Sequence, residues 1–312
     1  MIRQNVSLKD YSNFKIGGQA LYFLEVFSKE ELIEGLKEWK KISANLSTDK
    51  IFILGGGTNI LFSDLGFAGL VIKNSIGGIK ASNGVIEIGG GALVSELLNF
   101  CIENSLSGFE WAGGLPGTIG GAVRGNAGAF NGETKDNVLD VESVNLKTLE
   151  TKTRNNKDCN FSYRMSTFKI NAKNEIITKV KFKFETGEKQ EIKNSIQEKI
   201  DHRLSRHPLE YPNVGSIFKN VPYVSFSRKL QEELKQYIKN DPFPVIPTAK
   251  LNFLAGLSGK RVGDAQLSKK HTNFIVNLGN AKAEDVKKLM QIIKETVKQK
   301  FRISLEEEIM LV

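Results

Sequence analysis

From Gly113 to Gly128 the chain reads Gly-Gly-Leu-Pro-Gly-Thr-Ile-Gly-Gly-Ala-Val-Arg-Gly-Asn-Ala-Gly, seven glycines in sixteen positions. A flexible linker would be rich in serine and free of leucine, isoleucine and valine. Here apolar residues stand between the glycines at fixed places, so the backbone is bent tightly and packed. Glycine serves where the main chain takes a positive φ or where another group approaches it closely. A second segment, Leu54-Gly-Gly-Gly-Thr-Asn-Ile60, has the same character. Two such turns in one chain point to a large phosphate-bearing cofactor.

The 312 residues are enough for two domains, or three small ones. With 40% hydrophobic and 25% charged residues, the composition is that of an ordinary globular protein. No apolar run approaches membrane-spanning length, and Met1-Ile-Arg-Gln-Asn-Val6 starts no signal peptide. A cytoplasmic location with no membrane partner is expected. The formal charge of +9 comes mostly from lysine. Solubility accounts for it, and steering of anionic ligands such as diphosphates is the sharper reading. The basic residues are dispersed and show no helix-turn-helix, zinc-finger or RNP pattern, so no nucleic acid is expected. Two cysteines and three unclustered histidines give neither a disulfide framework nor a metal site. Cys101 shares an apolar helix face with Leu93 and Leu97 and reads as core.

Leu21 to Val26 reads as a strand. Ser28-Lys-Glu-Glu31 is a capping box, after which Leu32, Leu36 and Trp39 recur on one helical face. Lys50 to Leu54 is a second apolar strand that enters Gly55-Gly56-Gly57, completing a β-α-β unit. Further strands fit Gly69 to Ile72, Val85 to Ile88, Val138 to Leu146 and Ile176 to Glu185, with a helix at Ala92 to Asn104. Ile192, Ile196, Ile200 and Leu204 mark another helix, stopped at His207-Pro208, where the main domain boundary is expected. Beyond it a smaller α+β unit contains a helix with Val286, Leu289, Ile293, Val297 and Phe301 inward. Glu284 and Asp285 in its first turn suit the helix dipole. Ile303 to Val312 reads as a closing strand.

Exposed amides in a tight turn form a concave anion site, and glycine lets a pyrophosphate approach with no Cβ in the way. Leu54 to Ile60 fits that role. It is not the Rossmann fingerprint, since a third spaced glycine is missing and Ile60-Leu-Phe-Ser-Asp64 begins no convincing helix. Alone, the turn is equally compatible with a structural role; paired with Gly113 to Gly128, it favours a cofactor.

These segments, together with Phe14-Lys-Ile-Gly-Gly18, resemble the flavin domain of the UDP-N-acetylenolpyruvoylglucosamine reductase (MurB) family. The resemblance continues through Tyr163-Arg-Met-Ser-Thr-Phe-Lys169, Pro212-Asn-Val-Gly-Ser-Ile-Phe-Lys-Asn220, Arg261 to Asn277 and Leu305-Glu-Glu-Glu-Ile309. The matches are in order and span nearly the whole chain. They imply an α+β fold, with a FAD-binding fold of the vanillyl-alcohol-oxidase (PCMH) type in two subdomains, 1–75 and 76–206, and a C-terminal α+β substrate-binding domain, 207–312. Non-covalent FAD would lie with its pyrophosphate on Gly55, Gly56, Gly57, Thr58 and Asn59. Its ring would be lined by Pro116, Gly117, Thr118, Gly120 and Gly121, with Lys15 similarly placed. A monomer is expected.

The resemblance also implies the reaction. NADPH passes a hydride to FAD, and flavin N5 then delivers it to the β-carbon of an enolpyruvyl UDP-sugar, giving a lactyl ether for peptidoglycan synthesis. Negative charge develops on the substrate carboxylate as an enolate, where preorganised donors act. By motif, Arg164 would be the cation on that carboxylate, its planar fork suiting bidentate binding. Ser216 would give the proton to the α-carbon. Glu308 would be the second enolate-stabilising group, and Tyr163 and Lys219 would contact the diphosphate or sugar. His271 reads as structural.

The chain departs from the family pattern in places. Glu307 stands where proline is common, and alternation puts Glu306 and Glu308 on one face, leaving either as the carboxylate. About fifty residues between Arg164 and Ser216 mark the shorter class, without the extra substrate-covering loop. Val221 to Pro247 looks like an insertion with an amphipathic piece (Leu230, Leu234, Ile238) and an extended proline-rich path. It reads as a surface elaboration, with a lid or interaction surface as alternatives. The rival function is another flavin oxidoreductase on the same fold, such as a sugar or lactone oxidase. A flavin-binding protein without catalysis is the other class.

Overall fold

The computed structural model describes residues 1–44, 46 and 49–312. The chain divides into two compact units, and not at a single cut. The first gathers Met1–Val6, Ala20–Gly56 and Ala68–His202; the second gathers Ser7–Gln19, Gly57–Phe67 and Arg203–Val312.

In the first unit, the strand Gln19–Val26 leads to the helix Lys29–Ser43. Ser28 Oγ caps the helix by accepting from the Glu31 amide at 3.1 Å. The Glu31 carboxylate returns to the amide of Phe27, one residue before the position a capping box uses. Leu32, Leu36 and Trp39 are buried, as the 3.6 period requires. The strand Ile51–Leu54 follows and pairs in parallel with Phe67–Asn74. Phe67–Asn74 lies between it and Gln19–Val26, so the expected β-α-β unit crosses over one strand position.

A second, antiparallel sheet runs in the order Thr151–Asn155, Val138–Asn145, Glu175–Lys183, Val85–Gly89, Ile79–Ser82. Its two edge strands are not recognisable in the sequence because they are largely polar and exposed, with no alternation to read. Phe109 meets Phe182 and Phe184 edge-on beneath this sheet. In the helix Val94–Glu103, Leu97 and Cys101 are buried, whereas Leu93 is the N-cap and is exposed. Similarly, the helix Lys189–Arg206 buries Ile192 and Ile196 but leaves Leu204 exposed on its last turn.

The glycine segment contains a helix, Ile119–Gly125, that its composition conceals, each glycine costing about 1 kcal/mol against alanine in a helix. Contact explains the choice. A Cβ on Gly120 would sit 2.8 Å from the Gly90 carbonyl oxygen.

In the second unit, the helix Ala283–Phe301 buries all five expected apolar residues. Its first amides, Ala283 and Glu284, donate to the carboxylate of Asp64 at 2.9 and 3.3 Å. The closing segment is less regular than expected. Arg302 turns the chain in a left-handed conformation, and only Met310–Leu311 forms a strand, parallel to Ile60–Leu61. Residues 221–247 supply the short strands Val221–Pro222, Lys239–Asn240 and Pro244–Ile246 and the helix Arg228–Leu234. Leu234 is buried, and Leu230 and Ile238 pack against the same core, so this stretch is built into the unit.

Candidate active site

The two glycine turns meet inside the first unit. A Cβ on Gly55 would fall 2.8 Å from Thr118 Oγ1, and one on Gly56 would fall 2.8 Å from the Cα of Gly117. At Gly56 backbone lies against backbone, and a side chain there would part the two segments. Among the described residues, the amides of Gly56, Gly117 and Thr118 in this unit donate to no protein acceptor. Amides in glycine turns without a partner suit a diphosphate, which needs several donors close to the main chain. The donor set therefore fits FAD. Lys73, an unheralded lysine at the end of an apolar strand, donates from Nζ to the Gly55 carbonyl at 2.9 Å, and burial lowers its pKa. Gly57 has φ +67, and a Cβ there would strike the Tyr11 carbonyl oxygen. Asn59 also braces the C-terminal segment. Its side chain donates to the Glu308 carbonyl at 3.1 Å, and its own carbonyl accepts from the Met310 amide.

Arg164 belongs to the first unit. Ser162 and Met165 exchange both backbone hydrogen bonds, at 3.1 and 3.0 Å, so Tyr163 and Arg164 form a two-residue turn. Arg164 takes φ 57, the position in such a turn that favours glycine. Its Nη2 donates to the Gly128 carbonyl at 2.8 Å, and its guanidinium carbon stands 5.1 Å from the centre of the Tyr163 ring.

Ser216 and Glu308 are brought onto neighbouring extended segments of the second unit. Ser216 pairs with Phe274 on one side. On the other, the Ile217 carbonyl accepts from the Glu308 amide at 2.8 Å, and the Lys219 amide donates to the Glu306 carbonyl at 2.9 Å. The three successive glutamates are thereby told apart. Glu306 pairs with Lys219 Nζ at 2.9 Å and Glu307 with Lys294 Nζ at 2.6 Å. Glu308 is fixed through its backbone at both its amide and its carbonyl. His271 packs against His207 and Phe274, with ring centres 5.4 and 4.6 Å away, and burial lowers its pKa to about 4.

Comparison with known proteins identifies what the chain is related to. A family model for the FAD binding domain matches residues 24–148, and one for the C-terminal domain of UDP-N-acetylenolpyruvoylglucosamine reductase matches residues 207–312. The chain is 36% identical over 306 residues to the UDP-N-acetylenolpyruvoylglucosamine reductase of Fervidobacterium nodosum, covering 98% of this chain and 90% of that protein. It is 37% identical over 305 residues to that of Caldicellulosiruptor saccharolyticus, covering 97% and 89%. The crystal structure of the reductase (MurB) from Thermus caldophilus superposes with a TM-score of 0.75 at 28% identity, over 100% of this chain and 99% of that one.

The chain belongs to the UDP-N-acetylenolpyruvoylglucosamine reductase family. Its fold is accordingly α+β, a flavin-binding fold of the vanillyl-alcohol-oxidase type with a separate C-terminal MurB domain. At 312 residues it is a member of the shorter MurB class. Among the described residues no helix is long and apolar enough to cross a membrane. Glu307 pairs with Lys294, a partner that a proline at this position could not have.

Proposed function

We propose that this chain is the FAD-dependent enzyme that reduces UDP-N-acetylglucosamine enolpyruvate to UDP-N-acetylmuramate, in peptidoglycan precursor synthesis, with NADPH as donor. One observation carries the reading. In a chain related to these reductases over its whole length, Ser216 and Glu308 stand on adjoining strand-like segments of one unit. The amides of Gly56 to Thr58 and of Gly117 and Thr118 would hold FAD non-covalently, and the bound cofactor would supply the hydride chemistry between NADPH and the β-carbon.

The protein's own residues manage charge and proton. Arg164 binds the enolpyruvyl carboxylate and stabilises the charge that grows there as the enolate forms. Glu308 hydrogen-bonds the same developing charge. Ser216 gives its hydroxyl proton to the carbanionic α-carbon, the one acceptor basic enough to take it from so weak an acid, and the alkoxide left behind takes a proton back from solvent. Lys219 exchanges Glu306 for the substrate's diphosphate, and Tyr163 lines the sugar. Residues 1–75 and 76–206 form the flavin domain and 207–312 the substrate domain, with Ser7–Gln19 and Gly57–Phe67 joining the latter by contact. The enzyme works as a cytoplasmic monomer on a small-molecule substrate.

The purified protein is expected to be yellow and to oxidise NADPH faster when the enolpyruvyl UDP-sugar is added. In Ser216→Ala, bleaching by NADPH should persist while substrate-dependent reoxidation falls about 10²- to 10⁴-fold, the range of a lost general acid. Normal turnover in that variant would remove Ser216 from the mechanism. Failure to bind flavin would sink the whole reading.

A further inference from the structure

The glycine-dense segment continues past the flavin turn to Asn126, which reaches the turn that carries Arg164, and to Gly128, which Arg164 itself contacts. Asn126 is fully buried and ends the helix Ile119–Gly125 with φ 42. Its Nδ2 donates to the Ser162 carbonyl at 3.0 Å and to Glu133 Oε1 at 3.0 Å, while its Oδ1 accepts from the Lys135 amide at 3.1 Å. Both amide hydrogens and the oxygen are thus committed, in three directions. Ser162 is the first residue of the turn that displays Arg164. Gly128 offers the carbonyl that Arg164 Nη2 reads, and the short pairing of Gly128–Ala129 with Gly132–Glu133 shapes that loop. Glu133, the second partner of Asn126, lies in the same pairing.

We propose that Asn126 is a positioning residue for Arg164, fixing both the turn that carries its backbone and the loop that its guanidinium touches. The proposal rests on reading Arg164 as the ligand of the substrate carboxylate. A non-glycine residue with positive φ is held there only when its surroundings over-determine it. Around Arg164 the restraints include the Asn126 bond to Ser162, the Lys169 Nζ bond to the Arg164 carbonyl at 2.9 Å, and the Ser166 hydroxyl bond to the Arg124 carbonyl at 2.8 Å. Of these three, the Asn126 side chain also bonds to Glu133, which pairs with the Gly128 that Arg164 touches. Aspartate would lack both donors and would set a second carboxylate against Glu133.

The test uses the flavin-loaded enzyme and Asn126→Gly, which keeps the left-handed backbone and deletes the side chain. Binding is titrated with UDP-N-acetylmuramate, which bears the carboxylate, and with UDP-N-acetylglucosamine, which does not. We expect flavin content and reduction by NADPH to be unchanged, and affinity for the carboxylate-bearing ligand to fall at least tenfold. Affinity for the other should hold, and substrate reoxidation should slow about 10- to 100-fold, as expected when a reacting group is misplaced by an ångström. Equal losses for both ligands, or none, would overturn the proposal. Arg164→Met is run alongside: if it spares carboxylate discrimination, the reading of Arg164 itself fails. If it abolishes discrimination and Asn126→Gly does not, only the positioning role fails. Should Asn126→Gly not hold flavin, Asn126→Asp repeats the test with the same size and backbone preference. If neither holds flavin, Asn126 is a folding residue and the proposal falls.

Discussion

Glu306, Glu307 and Glu308 are chemically identical, and only what faces each one separates them. Lys219 and Lys294 take the first two, and the third is anchored by Ile217 and Asn59 through its backbone. With Glu308 read as the group that stabilises the enolate, Glu308→Gln should slow substrate reduction about 10²- to 10⁴-fold in single-turnover measurements, while Glu307→Gln changes it by a few-fold at most. The opposite ranking would move the active carboxylate. The motif located the three residues, but their register needed partners 87 and 13 positions distant in sequence. His271 shows the same dependence on surroundings. With its folded pKa near 4 and the ordinary value at 6.5, the unfolded chain takes up a proton first as pH falls. Stability tied to neutral His271 is complete above about pH 6.5 and drains away toward pH 4. Urea midpoints at pH 7 and pH 4.5 should diverge more in the parent than in His271→Gln. An equal drop in both would show that carboxylates set the slope.

Elements with strong periodicity could be read directly, because burial of one face writes itself into residue spacing. The helix Ala283–Phe301 and the inner strands Val138–Asn145 and Glu175–Lys183 are such cases. What lies at their ends could not be read. Asp64 caps that helix from 219 and 220 residues away, and Asp64→Ala should cost about 1 kcal/mol, lowering the melting temperature by a few degrees. An unchanged melting temperature would mean that water replaces the cap without loss. The glycine helix Ile119–Gly125 was illegible for the opposite reason, since propensity argues against a helix that close packing imposes. Gly56→Ala would press a methyl onto the Cα of Gly117, with backbone on both sides. It should yield folded protein that loses FAD on dialysis, measured by absorbance at equal circular dichroism. Full flavin retention would show that these two turns do not form the cradle.

At the scale of the molecule, the net charge of +9 has a kinetic consequence if the substrate is a diphosphate. Raising salt from about 20 to 300 mM shortens the screening length several-fold, so kcat/KM should fall while kcat stays level. A salt-independent kcat/KM would leave the lysines as solubilising groups alone. The ordered motifs, from Phe14 to Ile309, determined the family, the cofactor class and the identity of the candidate site residues, because glycine turns and charged positions serve chemistry that tolerates few residue types. Tertiary structure alone decided which residues act together. Ser7–Gln19 and Gly57–Phe67 leave their sequence neighbours to join the C-terminal unit, Asn126 reaches the turn of Arg164, and lysines distinguish the glutamates. Such pairings are made through space by single hydrogen bonds and close backbone contacts, and these leave no period in the chain.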